Sequence, residues 1–213
     1  MILETRAVGP FMKNGFVLGC ERTREGVVID PGDEVDQLLA LANQNGWAIR
    51  HILLTHAHVD HVTGVADAKR ALGVPVYLHR DDLFLYNDAV AHGAIFGLSV
   101  QPQPPIDVFY TPNQVIPFGE YEVRPHHTPG HCPGGVCLQI GKANTVGKHL
   151  FVGDTLFAGS IGRTDLPKGD YATLIRSIRT VLFAFGDDAQ VFPGHGPATT
   201  IGHERRTNPF LKA

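Results

Sequence analysis

Apolar residues run along the chain in short blocks separated by glycine, proline and charged turns. Gly15-Phe16-Val17-Leu18-Gly19-Cys20 and Gly26-Val27-Val28-Ile29-Asp30 flank the charged turn Glu21 to Glu25 and read as paired strands; Pro31-Gly32 breaks the second. Between Glu34 and Asn45, Val35, Leu38, Leu39 and Leu41-Ala42 recur at helical spacing, and Gly46 stops the run. His51-Ile52-Leu53-Leu54-Thr55 has the length of a buried strand, Val62 to Leu72 reads as a helix ended by Gly73, and Val74 to Leu78 is the next strand. Past an irregular stretch from Asp81 to Pro117, with a helix expected within Leu83 to Phe96, strands return at Glu120–Val123, Val136–Ile140, His149–Val152 and Ala189–Phe192. Leu174, Ile175, Ile178, Val181, Leu182 and Phe185 mark a helix over Tyr171 to Phe185.

Strands alternating with helices in two β-rich halves, with no repeat and no linker, predict an α/β sandwich of two sheets flanked by helices. The composition agrees. Of 213 residues 43% are hydrophobic and only 18% charged, below the roughly 25% usual in soluble domains, so a core can be buried. The formal charge of −3 gives no basic footprint for nucleic acid. No apolar run approaches the ~18 residues of a membrane span. Met1 to Arg6 lacks a basic segment followed by an apolar one, so no signal peptide is expected. The odd set Cys20, Cys132 and Cys137 fits a reducing cytoplasm better than a disulfide framework.

Histidine is the outlier, at 12 residues. In Thr55-His56-Ala57-His58-Val59-Asp60-His61, an extended chain would turn His56, His58 and Asp60 to one side, with His61 following at the start of a helix. Four ligand-type side chains in six residues exceed what one tetrahedral ion with an open position needs, and fit two neighbouring ions. Three later segments repeat the order strand, glycine, ligand: Thr128-Pro129-Gly130-His131, Val152-Gly153-Asp154 and Phe192-Pro193-Gly194-His195. Five histidines and two aspartates thus stand at strand ends, and loops of that kind gather at one edge of a sheet protein.

His-x-His-x-Asp-His followed by a distant His, a distant Asp and a last His resembles the metallo-β-lactamase superfamily over nearly the whole chain. Gly159 to Asp170 and the tail from Phe192 through Glu204-Arg205 to Leu211 resemble the short bacterial type II glyoxalases, which hydrolyse S-lactoylglutathione and related thioesters. The resemblance implies a four-layer αββα sandwich and two divalent ions, zinc first, with iron or manganese also suited. It implies one ion on His56, His58, His131 and Asp154, and a second on Asp60, His61, His195 and the bridging Asp154. It further implies a metal-bound hydroxide as nucleophile, oriented by Asp60, and Arg163 as a contact to glutathione.

Larger type II glyoxalases carry a C-terminal helical domain that grips glutathione, and a tyrosine soon after the last metal histidine. The chain past His195 is too short for the former and has Gly196-Pro197 in place of the latter, so one domain over 1–213 is expected. Arg163 has a structural alternative, an ion pair with Asp165. Cys132 reads as a packing thiol beside His131, and Asp30 as either an orienting group or a turn cap. His126 and His127 read as flanking groups, and His51, His79, His92, His149 and His203 as ordinary. Two other activities share the pattern. A persulfide dioxygenase has the same first motif and a Gly-Arg-Thr-Asp segment like Gly162 to Asp165, but binds one Fe(II) through two His and one Asp. A β-lactamase is disfavoured by the missing signal peptide and Cys ligand.

Overall fold

A computed structural model of the chain describes residues 1–212. The first sheet is built from β1 (Ile2–Val8), β2 (Lys13–Gly19), β3 (Glu25–Ile29), β4 (Ala48–Leu53), β5 (Val76–Leu78) and β6 (Val108–Phe109), in that spatial order. β1, β2 and β3 are antiparallel neighbours, and β3 to β6 run parallel. Helices fill the crossovers: α1 (Val35–Gln44), α2 (Val59–Val62), α3 (Val65–Leu72), α4 (Leu83–Asn87) and α5 (Ala89–Ile95). The second sheet has the order β14-β13-β10-β9-β8-β7. Its strands are β7 (Ile116–Phe118), β8 (Tyr121–His127), β9 (Val136–Lys142), β10 (His149–Gly153), β13 (Gln190–Pro193) and β14 (Thr199–Thr200). A small hairpin of β11 (Leu156–Phe157) and β12 (Ser160–Ile161) follows β10, and α6 (Tyr171–Thr180) and α7 (Ile201–Thr207) complete the chain.

Strand alternation sorts the core into layers. Val27 and Ile29 of β3, Leu53 of β4 and Phe151 of β10 meet between the sheets, together with Phe118, Leu138 and Ile140. Val28 faces the other way, onto Leu38 and Ala42 of α1, and Ile52 packs with Val65 and Ala68 of α3. Leu150 and Val152 pack against Leu174 and Ile178 of α6 and Ile201 of α7. The layers are helix, sheet, sheet, helix, as expected from the sequence. Among the described residues no helix is long and apolar enough to cross a membrane.

Several boundaries differ from the sequence pattern. The helix expected over Val62 to Leu72 is two helices broken at Thr63-Gly64. There Gly64 N donates to Pro31 O at 3.0 Å, and a Cβ on Gly64 would stand 2.2 Å from Gly32 O, so the two loops touch through bare backbone. The strand expected to reach Thr55 ends at Leu53, and Asp60 lies in the first turn of α2 rather than in an extended run. The helix expected to Phe185 leaves α-geometry after Thr180 and continues as a 3₁₀ turn, Leu182–Phe185. β1 carries a polar middle, Glu4-Thr5-Arg6, with Thr5 and Arg6 exposed as an edge strand allows, and so gives no apolar run.

Candidate metal centre

β10 is parallel to β13 and antiparallel to β9, which is itself antiparallel to β8. β8, β10 and β13 therefore point the same way, and the loops carrying His131, Asp154 and His195 leave one edge of the second sheet. Backbone bonds fasten the first sheet to that edge. Val136 N donates to Thr55 O at 2.8 Å, and Asn14 N to Gly194 O at 2.7 Å. The run from Thr55 to His61 is thereby brought over the ends of β8, β10 and β13.

All seven candidate ligands converge. Ligand atoms of His56, His58 and His131 form one group, those of Asp60, His61 and His195 another, and those of His56, His61 and Asp154 a third between them, each within 4.8 Å internally. Asp154 presents Oδ1 to His61 Nε2 at 3.4 Å and Oδ2 to His131 Nε2 and His195 Nε2 at 3.6 and 3.5 Å. Two ligands at ~2.1 Å from one tetrahedral ion would stand ~3.4 Å apart, so these separations suit residues that share an ion. Gly194 is part of the cradle: a Cβ there would lie 2.3 Å from Asp154 Oδ1.

The opposite nitrogens are fixed from behind. His61 Nδ1 pairs with Asp30 Oδ2 at 3.0 Å, His131 Nδ1 with Arg163 O at 2.7 Å, and His195 Nδ1 with Phe11 O at 3.1 Å. Thr55 Oγ1 donates to Asp30 Oδ2 and can accept from His56 Nδ1 at 3.1 Å. These partners leave Nε2 of all four rings facing the cluster, the orientation in which ligating histidines are held. His58 differs: its Nδ1 faces the cluster, 2.7 Å from His131 Nε2.

His56 Nε2, His61 Nε2 and Asp154 Oδ1 are buried with no hydrogen-bond partner. Burying such groups unpaired costs on the order of 1–3 kcal/mol each, so the donor set fits cations that would take up those lone pairs. The charges divide the cluster: His56 and His58 are held neutral, whereas His61 keeps a proton that an ion on its Nε2 must displace. Burial, then the neighbouring histidines, push His56 far below the usual imidazole range; burial and His131 lower His58 to about 3. Burial would lower His61 too, but Asp60, Asp154 and Asp30 outweigh it and raise it to about 10. Burial would raise Asp154 and Asp60, but His61 holds both below the usual carboxylate range.

Three supporting residues surround the cluster. Asp30 orients His61 as well as closing a turn. Asp82 was not singled out by the sequence, where it follows Asp81 in a polar turn. It is fully buried, accepts from Ala57 N at 3.1 Å, from Gly134 N and from Cys132 Sγ at 3.1 Å, and so ties the first histidine loop to the His131 loop. Cys132 is thus a packing thiol held by Asp82. Lys13, also unforeseen, is 1% exposed and its ammonium donates to Asp30 O. Burial lowers it to about 8 against the pull of Asp30, Asp60 and Asp154. His79, Asp81 and His127 form a separate group, but the two imidazoles stack in parallel at 4.1 Å, so their in-plane lone pairs do not meet at one point.

The cluster floors a cavity of about 420 Å³ whose walls include Phe11, Ile95, Phe96, Leu166 and Pro167. Arg163 stands on its rim, with Nε and Nη2 each 2.7 Å from an Asp165 oxygen. The structural alternative for Arg163 is therefore realised, on a side chain that also lines the cavity.

A family model described as the metallo-beta-lactamase superfamily matches residues 8–195. The hydroxyacylglutathione hydrolase GloC of Haemophilus influenzae is 36% identical over 215 residues, covering 100% of this chain and 99% of that one. The crystal structure of TTHA1623 in a di-iron-bound form is 40% identical, with a TM-score of 0.85 over 98% of this chain and 100% of that one. The crystal structure of the BLEG-1 B3 metallo-beta-lactamase is 34% identical, with a TM-score of 0.90 and full coverage of both chains.

Proposed function

Since the chain belongs to the metallo-beta-lactamase superfamily, we propose that it is a dinuclear metal-dependent hydrolase of glutathione thioesters such as S-lactoylglutathione. The observation that carries this is the trio of buried, unpartnered ligand atoms, His56 Nε2, His61 Nε2 and Asp154 Oδ1, at the floor of an open cavity. His56, His58, His131 and Asp154 would hold one ion, and Asp60, His61, His195 and the shared Asp154 the other. Zinc, iron or manganese suits such a thiolate-free set. Two divalent cations bound there supply a water acidic enough to attack at neutral pH and a Lewis acid for the thioester carbonyl.

The chain's own residues do the rest. Asp60, whose Oδ2 lies 3.1 Å from His195 Nε2, is the catalytic carboxylate: it accepts a hydrogen bond from the attacking water and fixes its direction. Attack forms the new C–O bond, the C–S bond breaks, and the departing thiolate takes up the proton the water gives up. The apolar walls keep bulk water from the acyl carbon. Arg163 offers the glutathione carboxylate a guanidinium, shared with Asp165. Likeness to the GloC relative supports glutathione as the thiol.

Likeness to BLEG-1 favours a second reading, hydrolysis of a β-lactam amide by the same groups. Elemental analysis of the purified protein, with hydrolysis of S-lactoylglutathione and of a chromogenic cephalosporin, separates the readings. Two ions per chain with thioester turnover and weak cephalosporin turnover are expected. One iron per chain, with oxygen consumption on glutathione persulfide and no thioester turnover, would overturn the proposal.

A further inference from the structure

The two ends of the cluster are tied to different surroundings. His131 Nδ1 is held by the backbone carbonyl of Arg163, a residue that also lines the cavity. His195 Nδ1 is held by the carbonyl of Phe11, in the turn between β1 and β2. Phe11 meets Phe96, just past α5, edge to face at a centroid distance of 5.7 Å. Ile95 adjoins them on the cavity wall.

These side chains are exposed: Phe11 40%, Phe96 49% and Ile95 74%. Large exposed apolar residues are otherwise scattered singly, yet Met12 and Val90 add to the same two segments. Apolar surface concentrated at the mouth of a reactive site marks a place where an apolar ligand group lies. Arg163 is the one Lys or Arg lining the cavity among the described residues, and its backbone carbonyl holds His131, whereas the carbonyl of Phe11 holds His195.

We infer that the Phe11–Phe96 wall is an acyl-group subsite, and that the favoured substrates are glutathione thioesters whose acyl group is aromatic or branched alkyl. This rests on the thioesterase reading. The thiol carrier extends toward Arg163 and the acyl group lies beneath the two phenyl rings. A lactoyl group, with a single methyl, leaves that wall wet.

S-mandeloylglutathione differs from S-lactoylglutathione only by phenyl in place of methyl. The metal-loaded protein is expected to hydrolyse the mandeloyl ester with a kcat/KM about tenfold higher or more, the scale on which an apolar pocket discriminates added hydrocarbon. Phe96→Ser and Phe11→Ser, both at exposed positions, should keep their melting temperature and metal content while most of that ratio disappears. Val146→Ser, an exposed apolar position on the turn between β9 and β10, should keep the ratio. Equal or better turnover of the lactoyl ester by the wild type, or a ratio that neither phenylalanine variant moves, overturns the subsite and leaves the thioesterase standing. If the two-metal protein hydrolyses neither ester, the thioesterase reading falls and the subsite with it.

Discussion

His61 Nδ1 lies 3.0 Å from Asp30 Oδ2, and neither side chain reaches solvent. The same carboxylate accepts from Thr55 N at 2.7 Å and Thr55 Oγ1 at 2.6 Å, so a residue at the end of β3 sets the loop that leaves β4. Asp30 holds this position with a φ of 48°, a conformation that few residues other than glycine adopt. Asp30→Ala would leave three buried donors unpaired, a destabilisation of about 3 kcal/mol or more. It should also lower affinity for the ion on the His61 side about 10–100-fold, as removing the group behind a ligating histidine does. Chelator titration with elemental analysis, beside thermal melts, measures both. Unchanged affinity at full folding would show that Asp30 only closes the turn.

Asp154 is the side chain whose carboxylate faces His61, His131 and His195 together. Asp154→Ala should lose both ions, with hydrolysis near background. His61→Ala should retain about one ion and still lose hydrolysis steeply. Counting ions per chain after dialysis distinguishes these outcomes. Two ions retained by the Asp154 variant would exclude a bridging role.

The convergence of the candidate ligands was legible because its signal is local: four ligand-type residues within six positions, and three further candidates each straight after a strand and a glycine. The layer order was legible for a similar reason, since β3, β10 and the Ile52-Leu53 end of β4 are buried on both faces and read as short apolar runs. What escaped was burial of isolated charges. Lys13 sits just ahead of the first apolar run, and the pairing of β2 with the His195 loop helps to enclose it. Asp82 becomes a strap only when residues 25 and 50 positions away are folded onto it. Two-residue strands such as β11 and β14 are too short for periodicity, and α7 carries a single buried large apolar residue, Ile201. Asp60 defeated the alternation rule because α2 begins at Val59, rotating the carboxylate toward His195 rather than alongside His58.

Lys13 gives a pH signature. Burial lowers its ammonium to about 8 in the fold, against 10.5 for an ordinary lysine. Between these values the unfolded chain still holds the proton that the folded chain has released, so the Lys13 contribution to stability rises with pH through that window, opposite in sign to that of His61, which the comparison with a Lys13 variant subtracts. In metal-free protein, the stability of wild type relative to Lys13→Met should be lowest below pH 8 and climb by about 3 kcal/mol towards pH 10.5. Urea unfolding of both proteins across pH 7 to 10.5 measures this. A difference that stays flat would mean that Lys13 titrates as an ordinary surface lysine.

Arg163 and Asp165 allow the glutathione contact to be tested from both sides. The guanidinium is bidentate to Asp165, yet both side chains are more than half exposed. Pairs of that kind contribute little to folding, so removing either partner should leave the melting temperature nearly unaltered. Their effects on substrate should be opposite. Arg163→Met removes the cation offered to a glutathione carboxylate and should raise KM for S-lactoylglutathione on the order of tenfold, with kcat largely kept, because the contact is made equally in ground and transition states. Asp165→Asn removes the competing carboxylate and should lower KM several-fold. Added salt should weaken binding to Asp165→Asn more than to Arg163→Met, since only the former still holds substrate by charge. A thioester of a small neutral thiol should be hydrolysed alike by both variants and wild type. If the two substitutions instead change KM in the same direction, or both leave it unmoved, Arg163 serves the loop and not the substrate, and the thiol must be held by other contacts.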